Sequence, residues 1–437
     1  MSIGQLYELF LQYPSIQTDT RKLKKGDLFF ALKGPNFNGN AFAAQALEQG
    51  AAYAVIDEPV NDALSGRLIL VPDVLSTLQA LSLHHRRQFD IPFIAITGSN
   101  GKTTTKELVY AVLAAAFTVY TTQGNLNNHI GVPLTLLSVK KDAQFAVIEM
   151  GANHQREIAG YCEYARPTHG IITNAGLAHL EGFGGAEGVK KGKGELYDFL
   201  RQTGGAAFVM WDYDYLREMS KGIPEIITYG SANADYTGTA ERGAGQGADG
   251  AGRNDPFLTV NMTHGASTGL IHTQLVGDYN LPNVLVAVAV GKHFGVPDEK
   301  IRQAIEQYAP SNSRSQLIQK DGNQFILDAY NANPSSMRAA IENFARMPEG
   351  GKVLVLGAMA ELGPGSVGEH RRIIDLIRQY PWKEVALVGG DFLKTDHPWQ
   401  RFENARQAGQ WLKGLDLKNA YILIKGSRSM RMEEVLS

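Results

Sequence analysis

Four stretches of the chain carry residue types and spacings that could do chemistry. The first is FIAITGSNGKTTTKELVYAVLAAA, from Phe93 to Ala116. An apolar strand pattern runs into Thr97, Gly98, Ser99, Asn100, Gly101, Lys102, Thr103 and Thr104, and then into a helical pattern. Glycines let successive backbone N–H groups turn inward around phosphate oxygens, and a helix N-terminus adds its dipole. Lys102 is placed to reach the outer phosphates of a nucleoside triphosphate, and the Thr103 hydroxyl to hold Mg²⁺. The general pattern G-x-x-x-x-G-K-[ST] asks for a glycine where this chain has Ile96. The other reading is an ordinary strand–turn–helix with a capping threonine.

The second stretch ends the strand-like QFAVIEM at Glu149, just before Gly151. A carboxylate there points into the crevice at the carboxyl ends of the strands, where open α/β sheets bind ligands. It is either a Mg²⁺ ligand or a surface carboxylate. The third is NAGLAHLEGFG, which puts His179 on a glycine-flanked loop after the strand-like HGIITN. Such a histidine is either a ligand or simply solvated.

The fourth is GVKKGKGELYDFL, from Gly188 to Leu200. In a helix each residue turns about 100°. Val189, Lys193, Leu196 and Leu200 then share one face, Lys190 lies about 60° away from Lys193 in projection, and Lys191 points nearly opposite. Lys193 alone lies on the apolar stripe. It either snorkels into water or is held against apolar surface, which lowers its pKa and leaves more neutral amine. A neutral amine reacts with CO₂, and the carbamate so formed is an anion that could bind Mg²⁺. Gly192 and Gly194 weaken the assumed helix by about 1 kcal/mol each relative to alanine.

The elements that must position these groups are βα units. Val-, Ile- and Phe-rich segments alternate with amphipathic ones almost throughout, which implies an α/β fold with mostly parallel sheets. Three blocks follow, at 1–90, 91–310 and 311–437. The first holds DLFFALK, NAFAAQALEQG and AYAVID. The second runs from FIAIT to the helix-like LPNVLVAVAVGKHFG (Leu281 to Gly295), and is interrupted by GTAERGAGQGADGAGRNDP (Gly238 to Pro256), which reads as a flexible surface loop or hairpin tip. In the third, QFILDAY, KVLVLGAM, EVALVGG and AYILIKG give four strands of a small doubly wound, Rossmann-like domain.

Composition narrows the class. At 437 residues and 44% hydrophobic the chain exceeds one comfortable core. A net charge of −2 argues against a nucleic-acid-coating protein. One cysteine, Cys162, excludes an intrachain disulfide and fits a reducing compartment. The N-terminus is not a convincing signal peptide, and no apolar run is long enough to span a bilayer. The expectation is a cytoplasmic monomer with no nucleic-acid partner and no membrane span.

At this point the chain resembles the Mur ligases, over nearly its whole length and through ordered motifs. TDTRKLKKGDLFFALKG (Thr18 to Gly34) is similar to the family's uridine-nucleotide domain, and TGSNGKTTTKE to its phosphate loop, which also lacks the first Walker glycine. GNLNNHIGVPLTLL, EMGANHQREI, NAGLAHLEGFG, KGEL, DAYNANPSSMRAA and KGSRSMRMEEV follow in family order. The YNANP form resembles the branch that adds D-alanyl-D-alanine more than its siblings.

The resemblance implies three domains: a small N-terminal domain for the UDP-muramoyl peptide, a central P-loop ATPase domain and a C-terminal Rossmann-like domain. It implies an ATP-dependent amide ligase that joins D-Ala-D-Ala to the carboxylate of UDP-N-acetylmuramoyl-tripeptide through an acyl phosphate. It implies that Thr97 through Thr104 bind ATP phosphates, with Asn283, Arg314, Asp328 and Tyr330 around the nucleoside. Thr103 and Glu149 would hold one Mg²⁺, and His179 with a carbamylated Lys193 a second. Lys102, Lys193, His179 and Glu149 form the catalytic set, while Thr20, Arg21 and Asn127 would contact substrate. The chain departs from the family at Tyr279, usually histidine, and at Ala358, usually aspartate, which puts local ATP or interdomain contacts in question. A sibling amide ligase, or a P-loop switch ATPase that makes no bond, are the rival readings. The third residue of the tripeptide, diaminopimelate or lysine, is left open.

Overall fold

The computed structural model describes residues 1–59, 65–241, 256–311, 313–347 and 351–437. Met1–Ala95, Thr118–Gly151 and Glu157–His169 form one compact unit, and Ile96–Phe117, Ala152–Arg156 and Gly170–Ser437 form another.

In the first unit, α1 (Ile3–Gln12) starts at Ser2, whose hydroxyl and the Gln5 side chain close a reciprocal capping box. It is followed by β1 (Ile16–Gln17), β2 (Leu28–Phe30), the small antiparallel pair β3 (Lys33–Gly34) and β4 (Phe37–Asn38), α2 (Ala43–Glu48), β5 (Tyr53–Ile56), β6 (Leu68–Leu70) and α3 (Val74–Arg86). The sheet order is β1-β2-β5-β6, all parallel. Alternation along β2 sends Leu28 and Phe30 to one core with Leu6, Phe10, Leu78 and Leu81, and Phe29 to another with Ala43, Ala46 and Leu47. The chain then enters β7 (Phe93–Thr97), passes through α4 (Lys102–Ala114) of the second unit, and returns as β8 (Val119–Thr121), α5 (Gly131–Leu137), β9 (Phe145–Glu149) and α6 (Glu157–Ala165). Strands β8 and β9 pair in parallel. Here the buried Arg86 guanidinium donates to the carbonyls of Ala165, Phe89 and Arg166 and lies 3.7 Å from the centroid of the Phe93 ring. Burial pulls its pKa down to about 10.

The second unit takes up the end of β7 and continues from β10 (His169–Ile172) through α7 (Leu180–Phe183), α8 (Ala186–Thr203), β11 (Ala206–Met210), α9 (Asp214–Ser220), β12 (Glu225–Gly230), β13 (Tyr236–Glu241), β14 (Phe257–His264), β15 (Leu270–Val276), α10 (Leu281–His293) and α11 (Asp298–Gln307). Strand order in this part is β15-β14-β13-β12-β11-β10-β7. Strands β11 to β13 pair in parallel, and β14 and β15 add on antiparallel. Every residue of α10 from Asn283 to Gly291 is buried, as an all-round apolar helix requires.

The same unit ends with β16 (Gln316–Lys320), β17 (Asn323–Asp328), α12 (Pro334–Arg346), β18 (Lys352–Gly357), α13 (Ser366–Ile377), β19 (Glu384–Val388), β20 (Gln400–Phe402), α14 (Ala405–Gly414) and β21 (Tyr421–Lys425). The order is β16-β17-β21-β18-β19-β20, parallel except for β16. Both faces of this sheet are covered, by Met337, Ile341, Phe344 and Ile374 on one side and Ala408, Leu412 and Val435 on the other.

Two expectations need correction. The third block holds six strands rather than four, because β16 and β20 lie at the sheet edges, where they are half-exposed and carry no apolar run. Gly238 to Glu241 of the glycine-rich stretch belong to β13, which pairs antiparallel with β14; residues 242–255 lie outside the described residues. Pairing with β14 gives this segment's backbone groups partners that its composition did not suggest.

Candidate active site

The phosphate loop connects buried β7 to α4. Its two glycines are set by backbone and space together. Gly98 has φ +141° and Gly101 φ +81°, both in the range that favours glycine. A Cβ on Gly98 would lie 2.0 Å from Thr173 Oγ1, and one on Gly101 2.6 Å from Asn283 Oδ1. The loop is laced to the end of β10. Ser99 N–H donates to the Asn174 carbonyl (2.9 Å) and Ser99 Oγ to the Gly176 carbonyl (2.8 Å). Asn100 N–H donates to Asn174 Oδ1 (3.1 Å), and the Asn100 carbonyl accepts from Thr173 Oγ1 (2.6 Å) and Asn174 Nδ2 (3.1 Å). Lys102 Nζ bonds the carbonyls of Gly98 (2.7 Å) and Ser99 (3.2 Å), so the ammonium lies folded over the loop. Thr103 is buried and Thr104 half-buried; the buried Thr97 hydroxyl has no hydrogen-bond partner among the described residues.

Asn283 joins this group from α10. Its Oδ1 accepts from Thr105 Oγ1 (3.0 Å), and its Nδ2 donates to Asn280 Oδ1 (3.0 Å). The remaining residues expected near the nucleoside form a second cluster. The Arg314 guanidinium lies 3.6 Å from the centroid of the Tyr330 ring, and its buried Nε has no hydrogen-bond partner among the described residues. Asp328 accepts from Lys425 Nζ and from Ser315 N–H (3.3 Å). The turn at Asp278–Asn280 links the two clusters, because Tyr279 OH bonds Ser315 Oγ (3.0 Å) while Asn280 meets Asn283. Tyr279 is therefore an architectural link, and its phenol is pushed upward by burial first and by Asp328 second. Ala358, the other departure, is buried; its carbonyl accepts from Ser427 Oγ (2.6 Å), and a Cβ on Gly390 would come within 2.5 Å of its methyl.

Lys193 sits in α8, which runs unbroken through both glycines. It is 1% exposed, with Val189, Leu196 and Leu200 buried beside it. Its Nζ donates to the Ala152 carbonyl (3.0 Å) and stands 4.8 Å from the centroid of the Phe183 ring. A Cβ on Gly192 would lie 2.4 Å from Phe183 Cε1, so this glycine lets the ring approach the helix. Lys190 pairs with Glu187 at the surface, and Lys191 is exposed. His179 precedes α7 with φ +52°, and its Nδ1 lies against the carboxylate of Glu361, a residue at φ +61°. That pairing holds the Glu361 carboxyl below its usual range. A carboxylate on one ring nitrogen orients the ring and fixes its tautomer.

In the first unit, Glu149 is 1% exposed. Its Oε1 accepts from Asn127 Nδ2 (2.7 Å), while Oε2 is buried without a hydrogen-bond partner among the described residues. A buried carboxylate oxygen left open in this way fits a cation ligand. Asn127, expected to touch substrate, here anchors Glu149 and accepts from Gly151 N–H through its carbonyl (2.7 Å). Thr20 and Arg21 lie together on a short turn, separate from this pair, and the exposed Arg21 bonds both oxygens of Asp19 at 2.8 Å. The Arg21 hydrogen bonds hold the Asp19 carboxyl down at about 2. Among the described residues no three His, Cys, Asp or Glu side chains cluster as a metal site.

Sequence reasoning missed Thr173, Asn174, Asn333, Ser335 and Glu361. Asn333 and Ser335 stand in the YNANP stretch, but their partners are far away in the chain. Asn333 Nδ2 donates to Asn100 Oδ1 (2.7 Å), and Ser335 Oγ accepts from Leu177 N–H (3.0 Å).

Three family models match in chain order: Mur ligase family, catalytic domain over 12–88; Mur ligase middle domain over 96–291; and Mur ligase, glutamate ligase domain over 313–428. The chain is 35% identical to the UDP-N-acetylmuramoyl-tripeptide–D-alanyl-D-alanine ligase of Escherichia coli (strain K12), covering 99% of this chain and 95% of that one. It superposes on a crystal structure of MurF from Acinetobacter baumannii with TM-score 0.86 at 32% identity, covering 97% and 92% of the two chains. On the MurF ligase of Thermotoga maritima in complex with ADP the TM-score is 0.85 at 26% identity, covering 98% and 97%. With its three α/β domains, its phosphate loop and its agreement with these relatives from end to end, the chain belongs to the Mur ligase family.

Proposed function

We propose that this protein joins D-Ala-D-Ala to the C-terminal carboxylate of UDP-N-acetylmuramoyl-tripeptide, at the expense of ATP, to give UDP-N-acetylmuramoyl-pentapeptide, a peptidoglycan precursor. The observation that carries the reading is the laced, glycine-dependent phosphate loop in a chain that matches a ligase of this activity over almost its full length. An ADP complex of a relative supports ATP as the energy source. The domains run over 1–90, 91–310 and 311–437, the protein acts as a monomer, and its place is the cytoplasm, where nucleotide is supplied and Cys162 stays reduced.

In the first step a tripeptide carboxylate oxygen attacks the γ-phosphorus of ATP, and the bond to the bridging oxygen breaks to release ADP. The amine of D-Ala-D-Ala then adds to the acyl-phosphate carbonyl. The tetrahedral intermediate collapses with loss of phosphate and a proton. Loop N–H groups and Lys102 hold the transferring phosphoryl group. For Lys102 this requires its ammonium to exchange the Gly98 and Ser99 carbonyls for phosphate oxygens. Arg314 and Tyr330, stacked together, and Asp328, held by Lys425, supply a flat cationic face and an acceptor for the nucleoside. Thr20 and Arg21 serve the uridine nucleotide.

Magnesium, when bound, offsets the repulsion between carboxylate and triphosphate. Glu149 and Thr103 are each assigned as a magnesium ligand, as are His179 and a Lys193 carbamate. What supports Glu149 is its open buried oxygen, and what supports His179 is the Glu361 carboxylate on its Nδ1. For Lys193 the support is a buried amine on a helix that presents only that lysine to the interior.

Mass spectrometry of the product from UDP-N-acetylmuramoyl-tripeptide, ATP and D-Ala-D-Ala tests the reading. A pentapeptide product with ADP released only when both substrates are present is expected. Addition of a single amino acid in place of the dipeptide would move the protein to a sibling activity. ADP release without an acceptor amine would make it a switch ATPase.

A further inference from the structure

We infer that Asn333, at the N-terminus of α12, is a positioning residue for the phosphate loop, so that nucleotide binding is linked to how the YNANP segment is seated. The inference rests on the loop's being the ATP site. Asn333 caps α12: its Oδ1 accepts from Ser336 N–H (2.9 Å), and its own N–H donates to Ser336 Oγ (3.1 Å). A backbone N–H can only donate, so the cap fixes which way the Asn333 amide faces. Nδ2 must then point away from the cap, and it donates to Asn100 Oδ1 at 2.7 Å. This orients the Asn100 amide in turn.

Asn100 stands in the middle of the loop, between Gly98 and Gly101. Its backbone is already held on one side by Thr173 and Asn174. Asn333 holds its side chain on the other. Ser335 completes the contact by accepting from Leu177 N–H (3.0 Å), next to Gly176, whose carbonyl takes the Ser99 hydroxyl (2.8 Å). A Cβ on Gly176 would meet Ser335 Oγ at 3.0 Å and Asn100 Nδ2 at 3.3 Å, so the three segments converge where there is no room for a side chain. Residues 333–335 thus bear on both the loop and its support. If their seating improves phosphate binding, linkage requires that bound nucleotide improve their seating by the same factor.

The test separates the cap from the latch. Asn333→Ser keeps a capping hydroxyl of equal rank but is too short to reach Asn100; Asn100→Ala removes the acceptor and leaves the cap untouched. The full chain is assayed for ADP affinity by titration calorimetry, for KM(ATP) and kcat, and for Tm. Asn333→Ser is expected to weaken ADP binding and raise KM(ATP) by about three- to tenfold, the worth of one partly buried hydrogen bond, with kcat changed less and Tm close to wild type. Asn100→Ala should do the same, and the double variant should be no weaker than the worse single. Wild-type ADP affinity in either single variant, or losses that multiply in the double, overturn the inference. Should Asn333→Ser lower Tm, Asn100→Ala alone decides. A wild-type protein that forms no amide product sinks the functional reading instead, whatever the variants do.

Discussion

At the residue scale, Lys102 and Lys193 make different demands. Lys102 already has two carbonyl partners at the loop, so removing it leaves the fold supported by everything else. Lys102→Ala should lower acyl-phosphate formation by at least about a hundredfold, the scale of losing one preorganised charge at a transferring group, with Tm nearly unchanged. Near-normal turnover would remove this lysine from phosphate binding. Lys193 is buried, so alanine there also opens a cavity. Lys193→Met keeps the stem's volume and removes the nitrogen. It should fold, yet lose ligation, while Lys193→Ala should regain some activity when short carboxylic acids fill the hole and replace the anion. Full activity in Lys193→Met would make this lysine a packing residue only.

At the scale of the element, the two glycines of α8 are unequal. Gly192 faces the Phe183 ring at a distance no Cβ can share, whereas a Cβ on Gly194 would meet only the mobile end of Met219, at 3.2 Å. Gly192→Ala should destabilise by about 1–3 kcal/mol through overpacking. Gly194→Ala should be neutral or gain up to about 1 kcal/mol of helix propensity. Urea midpoints of the two variants provide the comparison, and equal effects would refute this view of the helix. The phosphate loop makes a similar demand on Gly98, where both the positive φ and the Thr173 hydroxyl exclude a side chain. Gly98→Ala should abolish ADP binding in calorimetry.

For the whole molecule, stability should depend on buried histidines that make hydrogen bonds as neutral rings, His85 in the first unit and His370 in the second. His85 Nε2–H donates to the Val139 carbonyl (2.8 Å), and Nδ1 accepts from Tyr7 OH (3.1 Å). His370 Nε2 accepts from Met359 N–H (3.0 Å), and Nδ1–H donates to the Ser366 carbonyl (2.7 Å). In each ring one nitrogen is needed as an acceptor, and burial lowers both pKa values. A histidine whose folded pKa is depressed takes up its proton first in the unfolded chain. Its contribution is therefore complete above the ordinary histidine pKa of about 6.5 and is lost as pH falls below it. The urea midpoint should be lower at about pH 5.5 than at about pH 7.5, and His370→Gln, which cannot titrate, should narrow the gap. A flat profile across that range would contradict the assignment.

The sequence by itself determined the βα rhythm, the phosphate loop and the choice of Lys193 among three lysines, because each is written in local spacing: strand runs, glycines before Lys102, and a helical phase that α8 follows through both glycines. It did not show the edge strands β16 and β20, which carry no apolar run, nor the pairing of Gly238–Glu241 with β14. Only the tertiary structure decided that Asn127 serves Glu149, that the Tyr279–Asn280 turn links the Asn283 group to the Ser315–Asp328 cluster, that Glu361 meets His179, and that Asn333 reaches Asn100. The reason is physical. Periodicity and propensity act between neighbours in the chain, whereas a contact between residues that lie from 22 to 233 positions apart exists only after two separate elements have packed.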